Sequence, residues 1–342
     1  MTITIYLTGY LWMLALAAIG MRTRMSAWRW LSAGIAPAAA FAVLRGRTGT
    51  DTAVYQQIVA GIWSGNLKVV PRTLEPGFVW LVRALEWVGH DPRIATALLS
   101  LLVVVACVAA FGRRDDDACV FATLIFPLFF YDMAMSGLRY GIAFCVAKLA
   151  SDAWARRRYG AAAALAAAGT SMHVSAALLV VLLQVGRMRM LRYAALAVAI
   201  GGVLFAMHHA ALLAKLGVYA AFTPPAQMSG SAPLVLALLL VVAGWGLLGR
   251  MPRTLVFLFV CEIASFALAR ISYAGLRFQW LVLFAAACRF VPLLRVPEVR
   301  RTPTIVVLLV IGAIGFAMRV RNMLGEAGLG PSPFLPFRFF WE

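Results

Sequence analysis

Charged residues are scarce in this chain of 342 residues, because Asp, Glu, Lys and Arg make up only 13% of it. Soluble domains carry roughly twice that share, about 25%. Apolar runs of about 17–25 residues, the length that crosses a bilayer as a helix, recur throughout the sequence. The shortage of charge excludes an ordinary soluble protein. It predicts an all-α polytopic membrane protein, with residues 1–342 forming a single integral membrane domain.

Cysteine and histidine are also few, and their spacing excludes several kinds of site. The five cysteines all lie in apolar runs without metal-binding spacing, which predicts core residues and no disulfide framework. His208 and His209 are adjacent, so they cannot share a helix face around a metal ion. We therefore predict metal independence and no cofactor. The N-terminus lacks a basic region and a small-residue cleavage site, so the first apolar run is expected to remain as a helix.

Acidic residues number 13 against 31 Lys and Arg, a formal net charge of +18. Most of the basic residues lie in short connections between apolar runs, which indicates membrane topology and no nucleic-acid partner. The partner implied is the lipid bilayer itself. About ten transmembrane helices are predicted, near residues 3–20, 28–44, 94–111, 118–131, 138–155, 193–209, 233–249, 254–270, 278–294 and 304–320.

The basic connections all fall on the cytoplasmic side if one condition is met. The apolar run between Tyr159 and Val185 has basic flanks at both ends, so it must enter and leave on that side. Both termini then lie outside. The basic clusters are Arg22/Arg24/Arg29, Arg113/Arg114, Arg156–Arg158, Arg187–Arg192, Arg250/Arg253 and Arg295/Arg300/Arg301.

The segment GTSMHVS predicts how that apolar run returns to the side from which it came. Two half-helices meeting there would form a re-entrant hairpin near residues 160–186, with Gly169 ending the first half and Thr170 or Ser171 capping the second. One long tilted helix is the alternative. In the hairpin, His173 lies at the tip near the external mouth. An ionisable group at such a break favours a functional role over a hydrogen bond within the helix bundle.

The longest loop, residues 45–93, is predicted to lie outside and to contain two amphipathic helices. The first begins with Asp51 or Thr52 as its cap, and the second begins near Pro76. Lying on the outer surface, the two helices either cover a cavity or serve as interfacial anchors. The apolar stripe of the first helix is Val54, Ile58 and Ile62.

Arginines also lie at predicted external positions, where the orienting rule does not require them. Headgroup contact or ion pairing can account for any one of them. As a set they suggest an anionic ligand, because guanidinium groups match phosphate oxygens two bonds at a time. The set includes Arg45, Arg47, Arg72, Arg83, Arg93, Arg139, Arg270, Arg277, Arg319, Arg321 and Arg338.

Several segments, in order, resemble the motifs of the EpsG/Wzy-type polysaccharide polymerases: RGRTGTDTAVY, EPGFVWL, SGLRYGIAFCVAKLA, TSMHVSAALLV and ARISY. Those proteins are membrane glycosyltransferases of exopolysaccharide and O-antigen assembly, and the resemblance implies a GT-C-like fold. It also implies that the substrates are oligosaccharide repeat units on undecaprenyl diphosphate. They would be joined at the outer, periplasmic face of the bacterial cytoplasmic (inner) membrane. The matching positions are Arg45, Asp51, Tyr55, Glu75, Arg139, His173, Arg270 and Tyr273.

The chemistry of such a transfer assigns roles to these residues. The negative charge that grows on the departing diphosphate must be stabilised, and Arg139 with Arg270 or Arg277 is the predicted clamp. A helix-end arginine that snorkels to the surface is the alternative for Arg139. The incoming hydroxyl needs a base, for which His173 is the leading candidate, with Asp51 and Glu75 behind it. Glu75 can instead pair with an arginine or bind sugar hydroxyls. The predicted substrate-binding set is Arg45, Arg47, Tyr55, Glu75, Arg270, Tyr273 and Arg277.

Three functions from different classes fit these features. The first is a polysaccharide polymerase, with a chain-length regulator and a flippase as expected partners. The second is a flippase or other transporter for lipid-linked oligosaccharides, which would use the same arginines without chemistry; the internal repeats common in transporters are not evident. The third, an acyltransferase on surface glycans, explains the external arginines less well.

Overall fold

The computed structural model describes residues 3–66, 74–186, 230–249, 251–296, 299–325, 334 and 337–341. The span predicted near residues 193–209 and the basic cluster Arg187–Arg192 lie outside the described residues. Within the described ones, the regular structure is helical, and an isolated β-bridge joins Arg45 to Phe339.

The helices follow one another with short connections. They are α1 (Thr4–Thr23), α2 (Ala27–Leu44), α3 (Thr52–Trp63), α4 (Pro76–Glu86), α5 (Pro92–Phe111), α6 (Asp115–Val120), α7 (Leu138–Ala155), α8 (Tyr159–Met172), α9 (Ser175–Gln184), α10 (Ser231–Leu248), α11 (Arg253–Ala269), α12 (Ala274–Cys288), α13 (Phe290–Leu293) and α14 (Arg301–Gly325). Between α6 and α7 the chain forms two π-helical stretches, Phe121–Phe130 and Asp132–Ser136.

Six helical segments in the described residues are long and apolar enough to cross a membrane. They are α1, α2, α5, α10, the run from α12 through α13, and α14 up to Arg321. Together they make the chain a polytopic helical membrane protein. Helix α7 carries Arg139, Lys148 and Asp152, and α11 has only 17 residues. The total of about ten spans therefore stays a prediction.

The π-helical stretch Phe121–Phe130 replaces the regular helix predicted near residues 118–131. Pro127 lies inside it and cannot donate a backbone hydrogen bond, which disturbs the α-helical ladder. Two glycines let α14 approach this stretch closely: a Cβ added to Gly312 would lie 1.8 Å from the carbonyl oxygen of Thr123, and one added to Gly315 would lie 2.0 Å from Leu128. Small residues at contacts of this kind are typical of membrane helix packing.

The described basic connections come together at one end of the bundle, which we call the basic end. Arg295 bonds the carboxylates of Asp116 and Asp117 there, at 3.3 and 3.0 Å. The connection after α5 packs against the start of α2, because a Cβ on Gly112 would lie 3.2 Å from Trp28. This grouping is what the orienting rule requires of connections that share the cytoplasmic side.

The opposite end, which we call the site end, holds the start of α1, the end of α2 and the C-terminal segment. The hydroxyl of Tyr6 donates to the carbonyl oxygen of Phe334 at 3.0 Å. The backbone N–H of Gly46 donates to the carbonyl oxygen of Arg338 at 2.8 Å, and the N–H of Arg338 donates to Thr48 Oγ1 at 3.0 Å. The described segments nearest to both termini therefore lie at the site end.

Helices α8 and α9 form a hairpin that packs on α7. Gly169, in the last turn of α8, lies beside α7, since a Cβ added to it would contact Val146 at 3.4 Å. At the end of α9, Gln184 Nε2 donates to Ser151 Oγ, which is near the end of α7, at 3.2 Å. Helix α8 thus runs along α7 towards the site end, and α9 returns along α7 towards the basic end. This agrees with two half-helices and not with one long helix.

The break in the hairpin lies at His173, and not at Gly169 as the sequence suggested. His173 is extended (φ −159°, ψ 125°), and α8 continues through Met172. The hydroxyls of Thr170 and Ser171 explain the difference: they donate back to carbonyls of α8, both at 2.8 Å, and so do not cap α9.

Buried charge fixes the returning end of the hairpin at the basic end. Arg289, which follows α12, donates to the carbonyl oxygen of Leu183 in the last turn of α9 at 2.9 Å. A cation at this position complements the negative end of the helix dipole. Close by, Lys148 on α7 pairs with Asp117 at 2.8 Å and with Asp152 at 2.6 Å.

Both helices predicted in the long loop are present, as α3 and α4. The indole N–H of Trp63 joins them through a 2.9 Å bond to the carbonyl oxygen of Val82. The predicted apolar stripe on α3 is wrong at Val54, which is 49% exposed. The buried face turns instead towards Tyr55 and Val59, because Tyr55 packs against Phe78 of α4.

Candidate functional site

The centre of the site is an ion pair between Glu75 and Arg139. Glu75 directly precedes α4, whose first residue is Pro76, and its side chain does not cap that helix. Its Oε2 accepts a hydrogen bond from Arg139 Nη1 at 2.8 Å instead. The Glu75 side chain is 4% exposed and that of Arg139 is 23% exposed. The pair is therefore shielded by protein on the Glu75 side and open on the Arg139 side.

The second oxygen of Glu75 reaches the tip of the hairpin. Its Oε1 accepts the backbone N–H of Val174, the residue after His173, at 3.3 Å. The contact is close because α4 begins directly against the end of α8: a Cβ added to Gly77 would lie 2.3 Å from Ser171 Oγ. One carboxylate therefore links the first turn of α7, the start of α4 and the break between α8 and α9.

The ring of His173 is held at the start of α9. The backbone N–H of Ser175 donates to His173 Nδ1 at 3.3 Å, and Ser175 Oγ lies 2.5 Å from the same nitrogen. Ser175 is a site residue without a role predicted from the sequence. The signal that points to it is its position two residues after a histidine at a helix break.

Asp51 lies within the electrostatic reach of two arginines. It precedes α3 and is half-buried, and its side chain makes no capping bond. Removal from water raises the pKa of its carboxyl group, and the positive charges of Arg277 and then Arg139 oppose that rise. Arg277, on α12, is exposed and lies over the ring of Tyr273 at 5.9 Å. The hydroxyl of Tyr55 accepts the backbone N–H of Arg139 at 3.4 Å.

These contacts define a group that we call the Arg139 cluster. Its members come from α3, α4, α7, α12 and the hairpin tip, although they are far apart in the sequence. They are Asp51, Tyr55, Glu75, Arg139, His173 and Arg277, with Tyr273 beside Arg277.

Among the other predicted arginines, Arg45 lies within electrostatic reach of Tyr55, but its hydrogen bonds are made elsewhere. Arg45 is only 5% exposed, and its guanidinium group bonds Ser100 Oγ at 2.7 Å and the carbonyl oxygen of Met135 at 3.0 Å. It thereby holds the start of the long loop to α5 and to the second π-helical stretch, which leaves it out of the proposed ligand set. Arg47 is exposed. The described ring contact of Arg270 is with Phe266 of its own helix, at 4.5 Å.

A second ion pair neutralises another arginine of the predicted external set. Arg319 of α14 bonds Asp132, and both side chains are mostly buried. The guanidinium group of Arg319 also lies over the ring of Trp280 at 5.6 Å. These contacts give Arg319 a structural role, whereas Arg277 remains exposed. Across the described residues, no group of three or more His, Cys, Asp and Glu side chains is placed to hold a metal ion.

The fold and the site together define a polytopic helical membrane protein that gathers arginine, carboxylate and histidine side chains at one end of its bundle. The chain belongs to the EpsG family, whose family model matches residues 29–337, nearly the whole sequence. The resemblance carried by the sequence motifs is thereby confirmed. No curated protein and no solved structure matches the chain. Family membership indicates a role in polysaccharide polymerisation.

The contact between Gly77 and Ser171 gives a direct test of how α4 positions the cluster. Gly77→Ala places a methyl group 2.3 Å from Ser171 Oγ and 2.8 Å from the Ser171 carbonyl oxygen. Overpacking of this kind costs about 1–3 kcal/mol, and we expect lower thermal stability together with an activity loss of about tenfold as Glu75 is displaced. Gly89→Ala is the matched control, since a Cβ there meets nothing within 4 Å. Equal behaviour of the two variants would show that the approach of α4 to α8 does not matter.

Proposed function

We propose that this protein is a polysaccharide polymerase that joins oligosaccharide repeat units carried on undecaprenyl diphosphate. The observation that carries the proposal is the Arg139 cluster, in which two arginines lie within electrostatic reach of Asp51 and a shared carboxylate ties Arg139 to the backbone beside His173. Family membership supplies the reaction class, and the cluster supplies groups suited to a lipid diphosphate.

The arginines suit the leaving group of this reaction. Breaking the bond between the sugar and the diphosphate places negative charge on phosphate oxygens, and preorganised cations stabilise such charge best in a site shielded from water. Arg139 is held in place by Glu75 yet is 23% exposed, so part of its guanidinium group can meet a ligand. Arg277 is exposed and lies within electrostatic reach of Asp51. Two guanidinium groups can engage a diphosphate through paired hydrogen bonds.

The cluster also offers groups for the acceptor. The hydroxyl that attacks must lose its proton, and Asp51 and His173 both lie in the cluster as proton acceptors by type. The exposed ring of Tyr273 provides a surface that suits a sugar. Because diphosphate is a good leaving group, the reaction asks more for charge stabilisation than for a strong acid.

The proposal places the reaction at the outer face of the cytoplasmic membrane. The basic end collects the connections that the orienting rule assigns to the cytoplasm, and the Arg139 cluster lies at the opposite end. Helices α3 and α4 border the cluster through Tyr55 and Glu75, so they are placed to cover a substrate bound among α7, α12 and the hairpin tip. A flippase and a chain-length regulator are the partners expected in this setting.

Polymerisation in detergent tests the proposal. The purified protein is incubated with purified lipid-linked repeat units, and the products are separated by size. We expect a ladder of glycans that differ by one repeat, because polymerisation needs no separate compartments. Substrate that stays at one repeat with the wild-type protein, while the protein in vesicles moves the same lipid across the bilayer, would instead establish a transporter.

A further inference from the structure

The hydrogen bonds of His173 fix which ring nitrogen carries its proton. A backbone N–H can only donate, so the bond from the Ser175 N–H requires a lone pair on Nδ1. The Ser175 hydroxyl, 2.5 Å from the same nitrogen, must then also be a donor. A neutral imidazole has one proton, and it therefore lies on Nε2. The lone pair that a histidine base would use is already engaged at Nδ1.

The start of α9 keeps this arrangement in place. The backbone N–H groups at the start of α9 each donate to a nearby acceptor. The N–H of Val174 donates to Glu75 Oε1, that of Ser175 donates to His173 Nδ1, and that of Ala176 donates to the His173 carbonyl oxygen at 2.9 Å. These N–H groups therefore do not bind a phosphate directly.

We propose that His173 serves the reaction as a hydrogen-bond donor through Nε2–H to the departing diphosphate, that Ser175 is the residue that positions it, and that Asp51 is the base. This inference rests on the proposed function. The acceptor oxygen forms a bond to the anomeric carbon, and its proton passes to the Asp51 carboxylate. The bond from that carbon to the diphosphate oxygen breaks, and the diphosphate keeps the electron pair. His173 keeps its proton throughout.

Elimination within the cluster assigns the base to Asp51. Glu75 uses one oxygen for Arg139 and the other for the Val174 N–H. The arginines are cationic, and a phenol such as that of Tyr55 is protonated at neutral pH. The Asp51 carboxylate makes no capping bond to α3. Burial raises the pKa of the Asp51 carboxyl group above its ordinary value, which makes it a stronger base, and the charges of Arg277 and Arg139 limit that rise.

The variant His173→Gln distinguishes a hydrogen-bond donor role of His173 from a role as base. The side-chain amide of glutamine can donate a hydrogen bond but cannot take up a proton. With purified lipid-linked repeats, we expect His173→Gln to keep at least about a tenth of the wild-type rate, and His173→Ala to lose about a hundredfold. Asp51→Asn should be as inactive as His173→Ala. A His173→Gln variant as inactive as His173→Ala, beside an active Asp51→Asn, would overturn the proposal and restore His173 as the base.

Nitrogen-15 NMR of the histidine rings tests the tautomer without any measurement of activity. The chain has four histidines, and the signals missing from His173→Gln identify those of His173. At neutral pH we expect an unprotonated Nδ1 and a protonated Nε2. A proton on Nδ1 would refute the donor role even if polymerisation is observed. The expected tautomer in a wild-type protein that forms no polymer would instead count against the proposed function.

Discussion

Replacing Arg139 with alanine is expected to lower the polymerisation rate by about two to three orders of magnitude, the usual cost of losing one preorganised donor to developing negative charge. The guanidinium group is partly exposed, and its ion pair with Glu75 holds it in place. Arg139→Lys should recover only part of the rate, since an ammonium group cannot form the paired bonds that a phosphate offers. The measurement is the initial rate of bond formation with purified lipid-linked repeats.

A structural cause must be separated from a chemical one in this variant. Arg139→Ala leaves the Glu75 carboxylate buried without its cation, and removing one partner of a buried pair commonly costs about 3–5 kcal/mol of stability. The double variant Arg139→Ala/Glu75→Ala removes the uncompensated charge. If Arg139 contacts the diphosphate, the double variant regains stability but is much less active than Glu75→Ala alone. Activity in the double variant equal to that of Glu75→Ala would show that Arg139 acts only by pairing with Glu75.

Arg83→Ala is the matched control for the loss of one arginine near the site. Arg83 is exposed in the last turn of α4, away from the Glu75 end of that helix. Its replacement changes the net charge by the same amount and should leave the rate within a factor of about two, as is usual for exposed surface positions. A loss in Arg83→Ala comparable to that in Arg139→Ala would indicate a general electrostatic effect on a charged substrate.

The helices that present the cluster are largely predictable from local sequence. Pro76 at the first position of α4 and the polar residues before α3 mark the starts of both loop helices, and the structure has them there. Basic flanks on both sides of one apolar run indicate the hairpin, since they require the run to return. The exact position of the break is not predictable, because Thr170 and Ser171 can either cap the next helix or bond back into their own.

The distinction between Arg45 and Arg139 cannot be made from the sequence. Both are arginines at the end of an apolar helix, and both match a family motif. They differ in their neighbours, because Arg45 is surrounded by polar atoms from α5 and from the second π-helical stretch, whereas Arg139 pairs with the Glu75 carboxylate and is 23% exposed. Those neighbours are set by tertiary packing of segments that lie up to 90 residues apart. The π-helical stretch is also not predictable from the sequence. All ten of its residues are buried, so it has no alternation of apolar and polar faces that would reveal its periodicity.

Glu75→Gln is expected to lower kcat by about a hundredfold while KM for the lipid-linked repeat stays level or falls. Glutamine offers one acceptor oxygen where the carboxylate offers two, so it can hold Arg139 or the Val174 N–H but not both. A misplacement of about 1 Å between groups that act together can reduce the rate to this extent. At the same time, removal of the negative charge frees Arg139 for the diphosphate, which favours tighter binding of the substrate.

The split between kcat and KM distinguishes positioning from the role that the sequence left open, direct binding of sugar hydroxyls by Glu75. Loss of a sugar contact made equally before and during the reaction would raise KM and leave kcat unchanged. Glu86→Gln is the matched control, because Glu86 lies at the other end of α4 and its ion pair with His90 is solvent-exposed.

Since Glu75 joins Arg139 to the backbone beside His173, its effect should also depend on His173. In the His173→Ala background, Glu75→Gln should cost much less than in the wild type, as is usual for residues that act as a unit. Fully additive losses would mean that Glu75 and His173 act independently.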